Sequence, residues 1–284
     1  SNISIKNGLG TTTINNENAD DSTFVGVKTQ NEGSIIIAGR ANIDAGAGTA
    51  LAALGGSINV NHGATIQTNG STALVAGNGS RISIASYNFN KPADISIDAG
   101  DGFAIDASDG GFTIGSQSGS PRTTNGTVNI KGHIKLGKYG TLNLTKENAI
   151  WTGTAVDGTE DGSGLLHLAM ESDAVWNHVD KEGDTGNEVK VELEGTRYNN
   201  ESSDDQITIL QNSKKDIHFK TIDQVDDTLR FVFAHEADSP TSIKGGNVTI
   251  DAVSTRYRGG KAKVLAVTAS DGIDMSDDTL VGPV

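Results

Sequence analysis

The chain has 284 residues and a formal net charge of −14, with 36 Gly and no Cys. Hydrophobic residues make up 35% and aromatic residues only 5%, which excludes a wide, aromatic-rich core and favours a narrow core of small aliphatic side chains. Residues 141–284 hold 13 Lys and Arg against 26 Asp and Glu, an excess that argues against nucleic acid or an anionic membrane as partner. Neither a charged-then-apolar leader nor 18 consecutive apolar residues is present, so we expect this segment not to insert into a membrane.

The first predicted elements are the strands of an internal repeat. Residues 33–55 (GSIIIAGRANIDAGAGTALAALG) align without a gap on residues 56–78 (GSINVNHGATIQTNGSTALVAGN), with nine identities in 23 columns. Within each copy, apolar residues alternate with other residues, as in Ile35-x-Ile37, which is the pattern of a strand with one buried face. Gly, Asn and Asp follow each short strand, and these residues tolerate the positive φ angles of tight corners.

This repeat predicts an all-β fold, an elongated right-handed parallel β-helix in which three short strands and three corners make one coil. An antiparallel sandwich or barrel also gives short alternating strands, but it does not require a fixed register of 23 residues. We expect regular coils of this length in residues 1–144. Residues 145–284 are expected to continue the solenoid with acidic coils and longer loops.

Two segments, residues 85–92 and 116–125, interrupt the repeat. Insertions in a solenoid leave through a corner and stand on one side, which is frequently the binding side. An aromatic residue in such a loop has no interior column to join, which makes Tyr87 and Phe89 candidate partner-binding residues. Asn90 of the same loop and Arg122 of the second insertion are further candidates. Thr49 and Thr72 occupy the same column of successive repeats and are candidate members of an outer polar row.

Later in the chain, two segments end in a similar way. Residues 126–155 (GTVNIKGHIKLGKYGTLNLTKENAIWTGTA) and 165–179 (LLHLAMESDAVWNHV) each place a Trp seven or eight residues after a Leu-x-Leu strand, at Trp151 and Trp176. With residues 202–210 (SSDDQITIL), this pattern resembles the passenger domains of autotransporter adhesins of Gram-negative bacteria. Indole rings at such positions fill a coil more often than they bind sugars.

The resemblance implies a right-handed β-helix that is exported through the outer membrane to the bacterial cell surface or the medium. It implies a virulence-associated role in cell adhesion, either self-association and biofilm formation or host attachment. The implied partner is a second copy of the chain or a host-surface glycan or protein. An adhesin that binds a host glycan or matrix protein without self-association is the alternative. The Gly-Asp-Ser-Gly sequence of the family's serine-protease branch is absent.

Catalytic residues, metal ligands and cofactors are not expected. Parallel β-helices include polysaccharide-degrading enzymes, which need two carboxylates at a defined separation, but adjacent acidic residues on a strand point to opposite faces. The six His do not have metal-ligand spacing. Two groups of Asp could offer oxygen ligands to calcium, yet neither matches a known calcium loop, so solvated corner residues are the preferred interpretation. These groups are Asp98, Asp101, Asp106 and Asp109, and Asp271, Asp274, Asp277 and Asp278.

Overall fold

The structure is a computed structural model. It describes residues 2–6, 10–88, 91–116, 125–144, 146, 148–159, 161–171, 173–183, 189–196, 206–224, 230–234, 248–255 and 263–266. Within these residues the chain forms strands, turns, bends and irregular segments, and no helix.

The strands are short in most coils and are numbered in chain order. The early strands are β1 (Asn2–Ile5), β2 (Thr11–Asn15), β3 (Val25–Ile37), β4 (Arg40–Asp44), β5 (Thr49–Val60), β6 (Ala64–Gln67), β7 (Leu74–Gly77), β8 (Ser80–Ile84), β9 (Tyr87–Asn88), β10 (Lys91–Pro92), β11 (Ile95–Ala107) and β12 (Gly110–Ile114). The later strands are β13 (Val128–Leu136), β14 (Tyr139–Leu144), β15 (Ile150–Thr152), β16 (Ala155–Asp157), β17 (Leu165–Glu171), β18 (Val175–His178), β19 (Lys190–Thr196), β20 (Gln206–Gln211), β21 (Ile217–Gln224), β22 (Arg230–Ala234), β23 (Val248–Ile250), β24 (Val253–Thr255) and β25 (Lys263–Ala266).

Parallel pairing stacks these strands in ladders, so the prediction of a parallel β-helix is confirmed. The first ladder runs through β1, the second parts of β3 and β5, β8, β12, β14, β17, β19, β21 and then β23 and β24. The second ladder runs through β2, β4, β6, the first parts of β11 and β13, β15, β18, β20, β22 and β25. The third ladder runs through the first parts of β3 and β5, β7, the second parts of β11 and β13, and β16.

The sequence repeat is the register of the stack. Ile35 pairs with Ile58 in the first ladder, Ala41 with Ala64 in the second, and Leu51 with Leu74 in the third. Each pair is separated by 23 residues, as in the alignment. Residues that are identical in sequence therefore lie directly above one another, about 4.8 Å apart.

The core is a narrow column of alternate side chains from all three ladders. Isoleucines of the first ladder, including Ile37, Ile58 and Ile82, are fully buried. Their outward neighbours are partly or fully exposed, as the alternation predicts. Such a core needs few large residues, which accounts for the lean hydrophobic composition.

The third ladder ends earlier than the other two. Its inward column consists of Val27, Leu51, Leu74, Ile105, Ile134 and Ala155. No described strand follows β16 in this ladder, and the carboxylate of the last residue, Asp157, accepts bonds from the backbone amides of Thr159 and Gly164. From β17 onward the described coils are built on two ladders. The boundary predicted at residue 144 stays a prediction.

Both predicted insertions leave the stack at the corner between the first and second ladders. The first carries β9 and β10, an antiparallel pair that stands outside the ladders. The ends of the insertions are tied together, since the Ser86 amide donates to the Ser116 hydroxyl and the Ser116 amide to the Ser86 hydroxyl, at 3.1 and 2.9 Å. The corner is thus closed beneath both insertions.

Candidate functional site

The outward side of the second ladder carries two parallel rows of polar residues, which we call the polar face. The rows follow from the register of β2, β4, β6, β11 and β13. All their members are exposed except Thr65, which is half-buried. One row is Thr13, Asn42, Thr65, Ser96 and Asn129, and the other is Asn15, Asp44, Gln67, Asp98 and Lys131.

The polar face offers hydrogen-bonding groups at a nearly constant interval. A ladder repeats its side chains about every 4.8 Å, so hydroxyl and amide groups recur at that spacing along the first row, and amide and charged groups along the second. Arg40 beside the rows donates to the Thr65 hydroxyl at 2.7 Å. The row that contains Thr65 is no longer polar after Asn129, because the next residue in register is Ile150, which is 42% exposed.

The residues predicted to contact a partner are distributed over different parts of the molecule. Tyr87 is partly exposed in β9, outside the ladders. Thr49 and Thr72 are both half-buried. Thr49 is the first residue of β5 and pairs with Val25, and Thr72 lies two residues before β7. They share a column, but the longer polar rows lie on the second ladder. Phe89, Asn90 and Arg122 lie outside the described residues, so their place in a binding surface stays a prediction.

The two tryptophans belong to the core. Trp151 pairs with Trp176 in the second ladder, and their rings stack with centroids 4.7 Å apart and an interplanar angle of 5°. Each indole N–H donates to a glycine carbonyl of the preceding coil, Gly132 at 3.1 Å and Gly153 at 3.0 Å. Both rings are almost fully buried, which confirms the interpretation that they fill the coil.

A column of buried polar residues runs beside the tryptophan stack. The Thr154 amide donates to Nδ1 of His133 at 3.2 Å, and the Thr154 hydroxyl lies 2.8 Å from Nε2 of His178. Nδ1 of His178 lies 2.5 Å from Oε1 of Gln211, which can only accept a hydrogen bond. The proton of neutral His178 is therefore on Nδ1, and Nε2 accepts from Thr154.

Burial lowers the pKa of His178 to about 4, although the hydrogen bond to Gln211 and the nearby Asp180 carboxylate act in the opposite direction. Because the side chain is only 2% exposed, desolvation of the charged form dominates. This histidine is consequently a neutral structural residue at pH 7. Alternation from Trp176 would have placed it inside, so a signal for it was present in the sequence.

A cleft of about 320 Å³ opens at the end of the third ladder. Its apolar lining comes from Ala155, Trp176, Val189, Val191 and Ile217, and its polar lining from Thr154, His178, Lys214, Lys215 and Asp216. Sequence reasoning missed this cleft, because no pattern marks the place where a ladder stops.

Three of the four Asp side chains in residues 98–109 accept hydrogen bonds from backbone amides. Asp98 accepts from the Gly100 amide, Asp106 from the Ser108 amide, and Asp109 from the Asn78 amide. In the part of the chain that the structure describes, no group of three His, Cys, Asp or Glu could hold a metal ion. The second predicted group, Asp271 to Asp278, lies outside that part.

Among the described residues, no helix is long and apolar enough to cross a membrane. Comparison with protein-family models, with curated proteins and with solved structures returned no match to this chain.

Proposed function

We propose that this chain is part of a bacterial surface adhesin of the autotransporter-passenger type, and that its polar face binds a second copy of itself. The observation that carries the proposal is the pair of exposed polar rows on the second ladder. Two such faces present donors and acceptors at the same interval, so many hydrogen bonds can form together. The proposal includes an extracellular location and assigns no reaction or cofactor to the chain.

Weak contacts are sufficient for this role. A single intermolecular hydrogen bond contributes only about 0.5–1.5 kcal/mol, so one such bond between two rows is too weak to keep two chains associated. Many copies displayed on two cells bind through many such contacts at once, and the resulting avidity exceeds the affinity of one pair by orders of magnitude. The charged residues of the face have both signs, with Asp44 and Asp98 opposed by Lys131, which favours antiparallel pairing of two faces.

The test is a comparison of two double lysine variants. Asn42→Lys with Ser96→Lys adds charge on either side of Thr65 in the polar face. Ile36→Lys with Ser83→Lys adds the same charge on either side of Asn59 in the first ladder. We expect the first variant, and not the second, to weaken self-association about tenfold or more by sedimentation, because like charges oppose each other across the interface.

Wild-type protein that remains monomeric at high concentration and moderate salt, with no clumping of cells that display it, would contradict self-association. Equal effects of the two double variants would show that the polar face is not the contact.

The second candidate is an adhesin that binds a host glycan or matrix protein through the insertions. It is favoured by the position of β9 outside the ladders, where Tyr87 has no place in the core. Tyr87→Ser with Phe89→Ser should change the free energy of unfolding by less than about 1 kcal/mol, as at exposed sites. The same change should weaken binding to host cells, and a collapse of the fold would assign the rings to the core.

A further inference from the structure

The cleft lies beside β16, where the described part of the third ladder ends. Partly buried apolar residues that pack on the core occur in the first coil, at Ile5, Ile14 and Phe24, and in late strands, at Val248 and Ile250. Ala155 is the further member of this group, and it lies in the middle of the stack. The residues that precede it in its column, from Leu51 to Ile134, are fully buried. The core is therefore open at Ala155.

Residues 179–183, which follow β18, lie outside the stack. Lys181 donates to the Asp101 carbonyl at 3.4 Å, and its ammonium lies 4.9 Å from the Phe103 ring centroid. Both partners belong to an earlier coil. Residues 179–183 thus lie against an earlier coil, on the outside of the stack. In the earlier coils, the chain continues at this point into a strand of the third ladder.

The next connection between the second and first ladders, residues 212–216, forms the far wall of the cleft. It lies two coils beyond β16, so the separation is about twice the strand spacing, roughly 10 Å. This gap has the height of one extended strand.

One edge of β16 has no partner strand among the described residues. The Thr154 carbonyl and the Gly158 amide bond to β13, and in a parallel strand alternate residues point to opposite edges. The backbone groups of Ala155 and Asp157 therefore point away from β13, towards the gap. The Ala155 carbonyl has a long contact of 3.5 Å with the Thr154 hydroxyl, and no described strand pairs with this edge.

The lining indicates what could fill the gap. Val189, Val191 and Ile217 line the cleft with apolar side chains, and the three charged lining residues, Lys214, Lys215 and Asp216, carry a net charge of +1. This local charge is opposite to that of the surrounding half of the chain. A main chain in extended form, one apolar side chain and neighbouring carboxylates match these features.

We propose that the cleft binds an extended peptide strand from another protein, which pairs with β16 and inserts an apolar side chain in line with Ala155. The peptide's flanking carboxylates lie near Lys214 and Lys215. Addition of a strand to an open sheet edge gives affinity through main-chain bonds and selectivity through alternate side chains. This inference does not depend on self-association, which uses the polar face.

The probe is a fluorescein-labelled peptide, Glu-Val-Glu-Val-Glu, with blocked ends, and the measurement is fluorescence anisotropy with the full chain. We expect binding that is lost about tenfold or more when alternate peptide nitrogens are methylated, because the pairing bonds are removed. Serine in place of valine should have a similar effect. Binding that is equal for the methylated peptide, or absent up to about 1 mM, overturns the proposal.

Two variants locate the binding. Ala155→Phe fills the cleft and should abolish binding, whereas Ala38→Phe, at a partly exposed corner far from the cleft, should not. Lys214→Glu with Lys215→Glu should reject the acidic peptide and accept Lys-Val-Lys-Val-Lys, since the charges are exchanged. If Ala155→Phe fails to fold, the charge exchange and the methylated peptide still test whether the peptide pairs with β16 in the cleft. Displacement of the peptide by an equal concentration of pentanoate would indicate a small-molecule site and overturn the proposal.

Discussion

His178 shows how burial determines the behaviour of a single residue. Its ring is held between Thr154 and Gln211, and the neutral form satisfies both contacts. Protonation would place a charge on the ring in a site from which water is almost excluded. The charged form is therefore disfavoured in the folded chain, and the difference depends on pH.

We expect stability to fall as the pH decreases from about 6.5 to about 4. The pKa of His178 is lower in the folded chain than in the unfolded chain, so the unfolded chain binds more protons in this window. The contribution is complete above pH 6.5 and amounts to about 3 kcal/mol lost by pH 4. His178→Gln should show a shallower decrease in urea midpoint between pH 7 and pH 4.5. Parallel curves for the two proteins would contradict the assignment.

The tryptophan stack predicts a large effect of truncation. Trp176→Ala removes a fully buried ring that contacts Trp151 and Phe219, and we expect a loss of about 3–5 kcal/mol. The control is Tyr139→Ala, because that ring is 46% exposed in the first ladder, and its loss should be within about 0.5 kcal/mol. Urea unfolding measures both. Similar values for the two variants would show that the stack does not support the core.

At this scale the sequence predicted part of the interior. Burial of Trp151 and Trp176 followed from their places after Leu-x-Leu strands. His133, Thr154 and Gln211 could not be placed, because their hydrogen bonds join residues of different coils that are 21 to 33 positions apart in the sequence. Polar residues at corners look the same in sequence whether they face water or one another.

At the scale of the strand, the fold could be predicted because the length of the sequence repeat equals the number of residues between paired positions in successive coils. The 23-residue identity fixed which strands lie in contact, as the pairs of β5 with β3 and β7 show. The polar face was harder to find, since its rows contain different residue types at successive levels. Thr49 and Thr72 are identical in the sequence repeat, which predicted a polar row there, but both are half-buried.

The corners of the early coils predict a contrast between two glycines. Gly56 has a φ of +141°, and a Cβ there would collide with the Gly33 carbonyl oxygen, whereas Gly70 has a φ of +77° and open space around it. Gly70→Ala should cost about 1 kcal/mol from backbone strain alone. Gly56→Ala should cost clearly more, because the two coils must also separate. The difference in urea midpoints checks this, and equal midpoints would exclude close packing between the coils at Gly33.

At the scale of the molecule, the net charge of −14 opposes association of two copies. The polar face lies in residues 1–140, which hold 9 Lys and Arg against 10 Asp and Glu, so the repulsion comes mainly from the rest of the chain. Such repulsion acts over about one screening length, which is 10 Å at 0.1 M salt and 30 Å at 0.01 M.

Self-association should therefore strengthen as salt rises from about 0.01 M to about 0.3 M, since long-range repulsion is screened while short hydrogen bonds persist. Sedimentation velocity over this range measures the change. An association that weakens steadily with salt would instead indicate attraction between opposite charges as the main force.

The corner that carries both insertions has a consequence for how such a molecule can vary. Because Ser86 and Ser116 bond to each other beneath the insertions, the coils are complete without them. The length and composition of the two inserted segments can then change while the stack keeps its register. The solenoid can therefore carry variable segments at this corner. Foreign sequences placed between Ser86 and Ala93 should be displayed without altering the coils that support them.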